Sequence, residues 1–439
     1  MLSAFARAFK TPDLRKKILF TLAIMALFRL GSHIPAPGID YSLVQQCQAA
    51  ATSSQNSVLG FANLFSGGAL LQLSVFALGI MPYITAAIIT QLLTVVIPRF
   101  EALKKEGQAG QTKMTQYTRY LTIGLAVLQS STLVTFARNP ENLFGASCST
   151  VMPDEGWPVI VMMVLTMTAG TSLIMWLGEL ITEKGIGNGM SLLIFTAIAA
   201  GFPGSLLAIQ QTSWGTFSFV MALGLVIITL VVFVEQCQRR IPVQYAKRMI
   251  GRRQYGGTST YIPLKLNMAN VIPIIFASSI LTLPTLVAGF NRSSDGASPG
   301  WVTWIENNLG VAASGSSWIY MVVYTTLIIF FTFFYVSVTF NPVDVADNMK
   351  KYGGFIPGIR AGRPTAEYLE FVISRITTVG AIYLAALALL PLIALNTLGV
   401  SQDFPFGGAS ILIVVGVGLQ TVKQIESQLQ QHDYEGFLR

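Results

Sequence analysis

Two histidines and three cysteines in 439 residues leave this chain little with which to hold a metal. His33 and His432 lie near opposite ends, and Cys47, Cys148 and Cys237 show no C-x-x-C spacing. No metal and no cofactor is expected. A phosphate-binding loop is missing too. "GQAGQTK" (107 to 113) lacks the G-x-x-x-x-G-K-[ST] spacing, and "GIGNG" (185 to 189) follows an apolar helix rather than a strand. H-E-x-x-H and G-x-S-x-G do not occur. Glu179 and Glu183, one helical turn apart, come nearest to an acid and base pair, but beside Lys184 they read better as anchors of a helix end. These absences exclude an enzyme with its own fuel or nucleophile.

Charge is also scarce. Charged residues are 11% of the chain and apolar residues 52%, against about 25% charged in soluble domains, and the mean hydropathy is +0.59. Gly185 to Val234, Asn307 to Val343 and Ile376 to Gln402 carry no charge at all, and each holds a run near the ~20 residues a spanning helix needs. The chain reads as an all-α integral membrane protein. Its first apolar segment follows Arg7, Lys10, Arg15, Lys16 and Lys17 as a signal peptide would, yet Arg29 interrupts it and no A-x-A site follows, so it is expected to be retained.

Hydropathy with breakers predicts ten spans, at about 18–37, 73–97, 118–137, 158–180, 188–208, 215–236, 268–289, 318–340, 371–392 and 406–425. With the amino terminus in the cytoplasm, 25 of the 28 Lys and Arg fall in cytoplasmic segments or at their helix edges, Arg138 and Arg292 fall outside, and Arg29 lies within the first span. Both termini are then cytoplasmic, and Cys47 and Cys148 share the external face, where they could pair. Five spans per half would force the halves to run oppositely through the membrane, an arrangement that builds a passage at their interface. The organisation expected is a cytoplasmic segment (1–17), a first half (18–210), a second half (211–425) with cytoplasmic loops at 238–267 and 341–370, and a cytoplasmic tail (426–439). The first of those loops has seven positive and no negative charges between 239 and 265. It could serve as a topology anchor on anionic lipid or as a docking surface for an acidic or phosphate-bearing partner.

One stretch resists a simple span. "NLFSGGALLQLSVFALGIMPYITAAIITQLL" (63 to 93) sets Gly-Gly, Ser, Gln and Pro inside an apolar run. Phe61 to Ile97 as one helix would measure about 55 Å at 1.5 Å per residue, against roughly 30 Å of hydrocarbon. Part of it must do something else. Ion-coupled transport would need ionisable groups near the midplane, and only Arg29 qualifies. A passive conduit, gate or scaffold is favoured.

"NLFSGGAL", "FALGIMPYI", "GIGNGMSLLIF", "RRIPVQYAKR", "PLKLNMANVIPIIFASSI", "NPVDVADNMKKYGGFIPGIR" and "FGGASILIVV" follow one another along nearly the whole chain. Together they resemble the SecY family, the central subunits of bacterial protein-conducting channels. The resemblance implies ten helices in two inverted five-helix halves around an hourglass pore that opens sideways between the second, third, seventh and eighth helices. It implies a short plug helix over about 60–71, including Gly60, Phe65, Gly67, Gly68 and Leu71, on the external side. The pore constriction falls on Ile80, Ile84, Met190, Ile194, Ile275 and Ile413, with Met190 where isoleucine is usual. Thr85, Gln129 and Asn270 are candidates for the lateral gate, or for separate helix-packing hydrogen bonds. Arg252, Arg253 and Arg360 are candidates for docking a motor ATPase or ribosome, with Ala361 where proline is usual. Implied partners are the small membrane subunits SecE and SecG, the motor SecA, the ribosome with its RNA and proteins, signal sequences and preproteins, and anionic lipids. The implied location is the bacterial cytoplasmic membrane. The competing reading is a secondary small-solute transporter with broken helices, which would need a midplane substrate site that the sequence does not offer.

Overall fold

The computed structural model describes residues 9–51, 66–138, 151–153, 156–212, 214–245, 248–250, 253–255, 259–290, 299–309, 318–398 and 408–437. Each of the ten expected windows falls on a helix. They are α1 (Pro12–Gly31), α3 (Met81–Val96), α5 (Gln108–Arg138), α6 (Trp157–Lys184), α7 (Gly189–Thr212), α8 (Trp214–Gln236), α9 (Ile272–Phe290), α11 (Trp318–Thr339), α13 (Arg363–Leu398) and α14 (Gly408–Phe437). Between them lie the shorter helices α2 (Tyr41–Ala51), α4 (Pro98–Lys105), α10 (Gly300–Asn308) and α12 (Pro342–Lys351). Four of the described helices are apolar enough over their length to cross a membrane by that criterion alone, and α3 with α4 makes a fifth. Others carry helix breakers that a bundle tolerates, such as Pro203 in α7 and Pro284 in α9.

The second window differs from expectation. Helix α3 starts at Met81, not near residue 73, and residues 67–80 form successive turns. Gly67, Gly68 and Gly79 have φ of 66°, 90° and 55°, and Leu73 has φ 46°. No helix passes through four left-handed residues. This backbone is fixed instead by the segment after α1: Ala36 N–H donates to Leu73 O at 3.0 Å and Val75 N–H to Ile34 O at 2.9 Å. At its other end α3 stops at Ile97, extended at φ −107° and ψ 115° as a residue before proline prefers. Pro98 then opens α4, which turns away by 104°.

The long loops at 238–267 and 341–370 meet in a small sheet, which adds a β element to the all-α expectation. β1 (Gln238–Tyr245) pairs antiparallel with β4 (Ser259–Lys265) and with the short β5 (Gly354–Phe355), while β2 (Arg248–Ile250) and β3 (Arg253–Tyr255) form a hairpin. In β1 Ile241 and Val243 point inward and alternate with exposed Arg240 and Pro242. Pro242 is tolerated because β5 pairs only with Gln244 and Tyr245, so Pro242 faces an open edge there. Ile241, Val243 and Leu264 pack on α12 and α13 through Met349, Leu369 and Val372. The loops are thereby held against the bundle.

Trp157, Trp214 and Trp318 stand at the start of α6, α8 and α11, and Trp301 and Trp304 on α10, all with much of their surface exposed. In the expected orientation all five lie at the external ends, opposite the basic loops, where interfacial aromatics belong.

Candidate functional site: a central passage and its closures

Side chains from six helices of both halves surround a cavity of about 480 Å³. Ile84 comes from α3, Met190 and Ile194 from α7, Ile275 from α9 and Ile413 from α14. Ile80 packs in the same cluster as Ile194 and Ile413. Thus five of the six residues expected at the constriction line one cavity, and the sixth adjoins it. Ile80, Ile194 and Ile413 are 2%, 6% and 1% exposed, so little void separates them.

The same cavity continues into a polar mouth with Gln91, Arg119, Glu179, Glu183 and Asn188. Glu179 does not cap its own helix. Arg119 Nε and Nη2 donate to its two carboxylate oxygens at 2.8 and 2.7 Å, a bidentate pair joining α5 to α6. Asn188 Oδ1 accepts from Met190 N–H at 3.1 Å and so starts α7, while Gly189 N–H donates to Thr182 Oγ1 at 3.0 Å. A Cβ on Gly189 would strike the carbonyl of Gly178. Gly189 therefore serves close packing of α7 on α6, with Met190 and Ile194 lining the cavity.

At the other end of the cluster lies the turn segment. Ser66 Oγ accepts from Leu70 N–H at 3.0 Å, and Ala69, Leu70 and Leu73 are buried. Gly67, Gly68 and Leu71 of the expected plug helix lie in these turns rather than in a helix, because Gly67 and Gly68 take left-handed φ, whereas Gly60 and Phe65 lie outside the described residues.

A second seam separates α3 from α9 and α11. Ile88 of α3 packs on Phe276 of α9 and Phe331 of α11. The two rings meet edge to face at 5.5 Å. Across the same seam Lys104 Nζ of α4 donates to Val338 O of α11 at 3.1 Å. No hydrogen bond joins Thr85, Gln129 and Asn270 among the described residues. Thr85 Oγ1 bonds Met81 O of its own helix at 3.0 Å. Gln129 is half-buried on α5. Asn270 stands before α9 with φ 51°, and its carbonyl accepts from Asn267 Nδ2 at 3.3 Å. That Asn267 also donates to the buried carboxylate of Glu235 at 2.7 Å, tying the end of α8 to the entry of α9. The seam is closed chiefly by apolar packing, and sequence reading had not found Lys104, Glu235 or Asn267.

Of the docking candidates, Arg360 is exposed in the turn between Gly358 (φ 85°) and Gly362 (φ 108°), and its carbonyl accepts from Thr365 Oγ1 at 2.8 Å. Arg252 lies outside the described residues, and Arg253 begins β3. Nearby Arg240 lies 4.9 Å over the Tyr261 ring. Cys47 is disulfide-bonded and Cys237 is a free thiol, while Cys148 lies outside the described residues. No cluster of metal-binding side chains occurs among the described residues.

The family model described as SecY matches residues 74–422. The chain belongs to the SecY family. It is 64% identical to the protein translocase subunit SecY of Streptomyces galbus and 57% identical to that of Micrococcus luteus, in both cases across 100% of each chain. Among solved structures it superposes on a protein-conducting channel with a TM-score of 0.63 at 16% identity, covering 94% of this chain and 91% of that one. It also superposes on Sec61 of the canine ribosome-channel complex with a TM-score of 0.60 at 15% identity, with the same coverage. These structures share its fold. With the family, the protein is a translocase subunit that forms a protein-conducting channel, not an enzyme, and the small-solute transporter reading is set aside.

Proposed function

We propose that the cavity's apolar collar is the waist through which unfolded secretory chains are threaded, with Ile80, Ile84, Met190, Ile194, Ile275 and Ile413 as its members. The observation that carries this is their convergence from four helices of both halves on one cavity whose other end is polar. Closed aliphatic rings exclude ions by dewetting, and flexible side chains yield to a passing chain without reading its sequence. The segment around Gly67, Gly68 and Leu71 is the external stopper. The Ile88, Phe276 and Phe331 seam is the lateral exit by which an apolar signal sequence or a membrane helix reaches lipid, with Thr85, Gln129 and Asn270 as polar positions along it.

The same reading assigns the sheet and the Arg360 turn to docking. Arg252, Arg253 and Arg360 suit the phosphates of ribosomal RNA or an acidic face of the motor SecA. SecE and SecG are the small membrane subunits of the complex, and anionic lipid meets the basic loops. The location is the bacterial cytoplasmic membrane with both termini inside, in keeping with the placement of 25 of 28 basic residues. Purified complex in vesicles, supplied with the motor and ATP, should move a signal-bearing preprotein into the lumen. Vesicles that admit no preprotein under these conditions would contradict the assignment.

A further inference from the structure

Arg29 stands in the last turn of α1, about 18 Å of helix beyond Lys17 at 1.5 Å per residue. That depth is past the middle of a hydrocarbon core of roughly 30 Å. A guanidinium there needs a partner. It has one of an unusual kind: Nη1 donates to the backbone carbonyl of Gly67 at 2.8 Å, 38 residues away. The α1 C-terminus itself favours a cation at this position. Its last turn is closed by Ser32 Oγ and His33 Nδ1, which lie 2.7 and 2.9 Å from the Arg29 carbonyl oxygen.

The Gly67 turn is clamped from two sides. A Cβ on Gly67 would come within 2.9 Å of Arg29 Nη1 and 3.1 Å of Ala197 Cα. With φ of 66° and 90° at Gly67 and Gly68, the chain reverses in the narrow space between α1 and α7. Ala197 is one helical turn outward from Ile194 of the collar. The downstream end of the segment is fixed independently, by the bonds of Leu73 and Val75 to the segment after α1. At Gly67 the chain is held across to α1 by the Arg29 side chain.

We propose that Arg29 is the latch of the external stopper, a positioning residue whose bond to the Gly67 carbonyl seats the turn against α7 in the resting channel and breaks when a chain passes. This rests on the reading of residues 60–71 as the stopper. The segment pivots on its fixed Leu73 end once the guanidinium lets go. Because the acceptor is a main-chain carbonyl, the contact depends on the arginine and on close approach at Gly67, not on the side chains of the stopper.

The test uses the purified channel complex in planar bilayers. Resting ion conductance should rise several-fold in Arg29→Met, stay near the parent in Arg29→Lys, and rise no further when Arg29→Met is combined with deletion of 60–71. A tight Arg29→Met channel beside a leaking deletion, or leaks that add, overturns the latch. A second measurement reads the turn directly, as labelling of Leu71→Cys by a membrane-impermeant maleimide from the external side in a Cys237→Ser background. Arg29→Met should speed it several-fold, and an unchanged rate overturns the latch whatever the conductance does. Faster labelling beside a deletion that does not leak upholds the latch and removes the stopper reading instead.

Discussion

The Glu235 carboxylate shows what a single buried polar contact does in this bundle. It is 7% exposed and accepts from Asn267 Nδ2 at 2.7 Å. Removing the acceptor leaves Asn267 Nδ2 only its longer bond to the Asn270 carbonyl and one buried N–H unpaired, which costs about 1–3 kcal/mol. Glu235→Ala should therefore lower the melting temperature of the purified complex, and Glu235→Gln, which keeps an acceptor oxygen, should lie closer to the parent. Equal melting of all three would show that the contact does not hold α8 to α9. Arg360 makes the opposite case, an exposed side chain with little to stabilise. Arg360→Glu should leave membrane insertion intact and strongly reduce preprotein transport, and undiminished transport would remove the docking role of that turn. Single residues were unevenly legible. The positions that line the cavity could be picked out because each sits in a long string matching the family. Glu235 with Asn267, and Arg119 with Glu179, could not, because they join helices at separations of 32 and 60 residues with no periodicity to mark them.

At the scale of elements, hydropathy located every long helix, since burial in lipid leaves a signal in each apolar run. It misplaced the start of α3 by about two turns. Phe76, Leu78 and Ile80 are as apolar as the helix that follows, and what excludes them from it is φ at Gly67, Gly68, Leu73 and Gly79, together with the strapping of Leu73 and Val75. Apolarity alone does not distinguish a buried turn from a span. Between α3, α9 and α11 the packing is by Ile88, Phe276 and Phe331 with Lys104 across the edge, side chains that no motif marks in the sequence. That lysine reaches Val338 only because Pro98 turns α4 by 104° from α3. Lys104→Met should ease the seam and increase transport of precursors with weakened signal sequences by a few-fold. No increase, measured with intact signals as the reference, would place the resistance to opening in the apolar packing alone.

For the whole molecule, the basic residues set the proposed orientation, and the exposed tryptophans at the starts of α6, α8 and α11 and on α10 then fall together at the opposite ends of the helices, as an interfacial aromatic belt would. The long loops at 238–267 and 341–370 carried less information, and their joining into one sheet with α12 and α13 beneath it came only from the structure. In the proposed function the waist is shut chiefly by apolar packing, and a chain in transit passes between the collar residues. Photocrosslinking of a preprotein stalled in transit tests this most directly, with a probe placed in turn at Ile194, at Ile413 and at the lipid-exposed Phe233. Adducts to the preprotein from Ile194 and Ile413 but not from Phe233 are the predicted result. Adducts absent from both collar positions, or equally strong at Phe233, would contradict it.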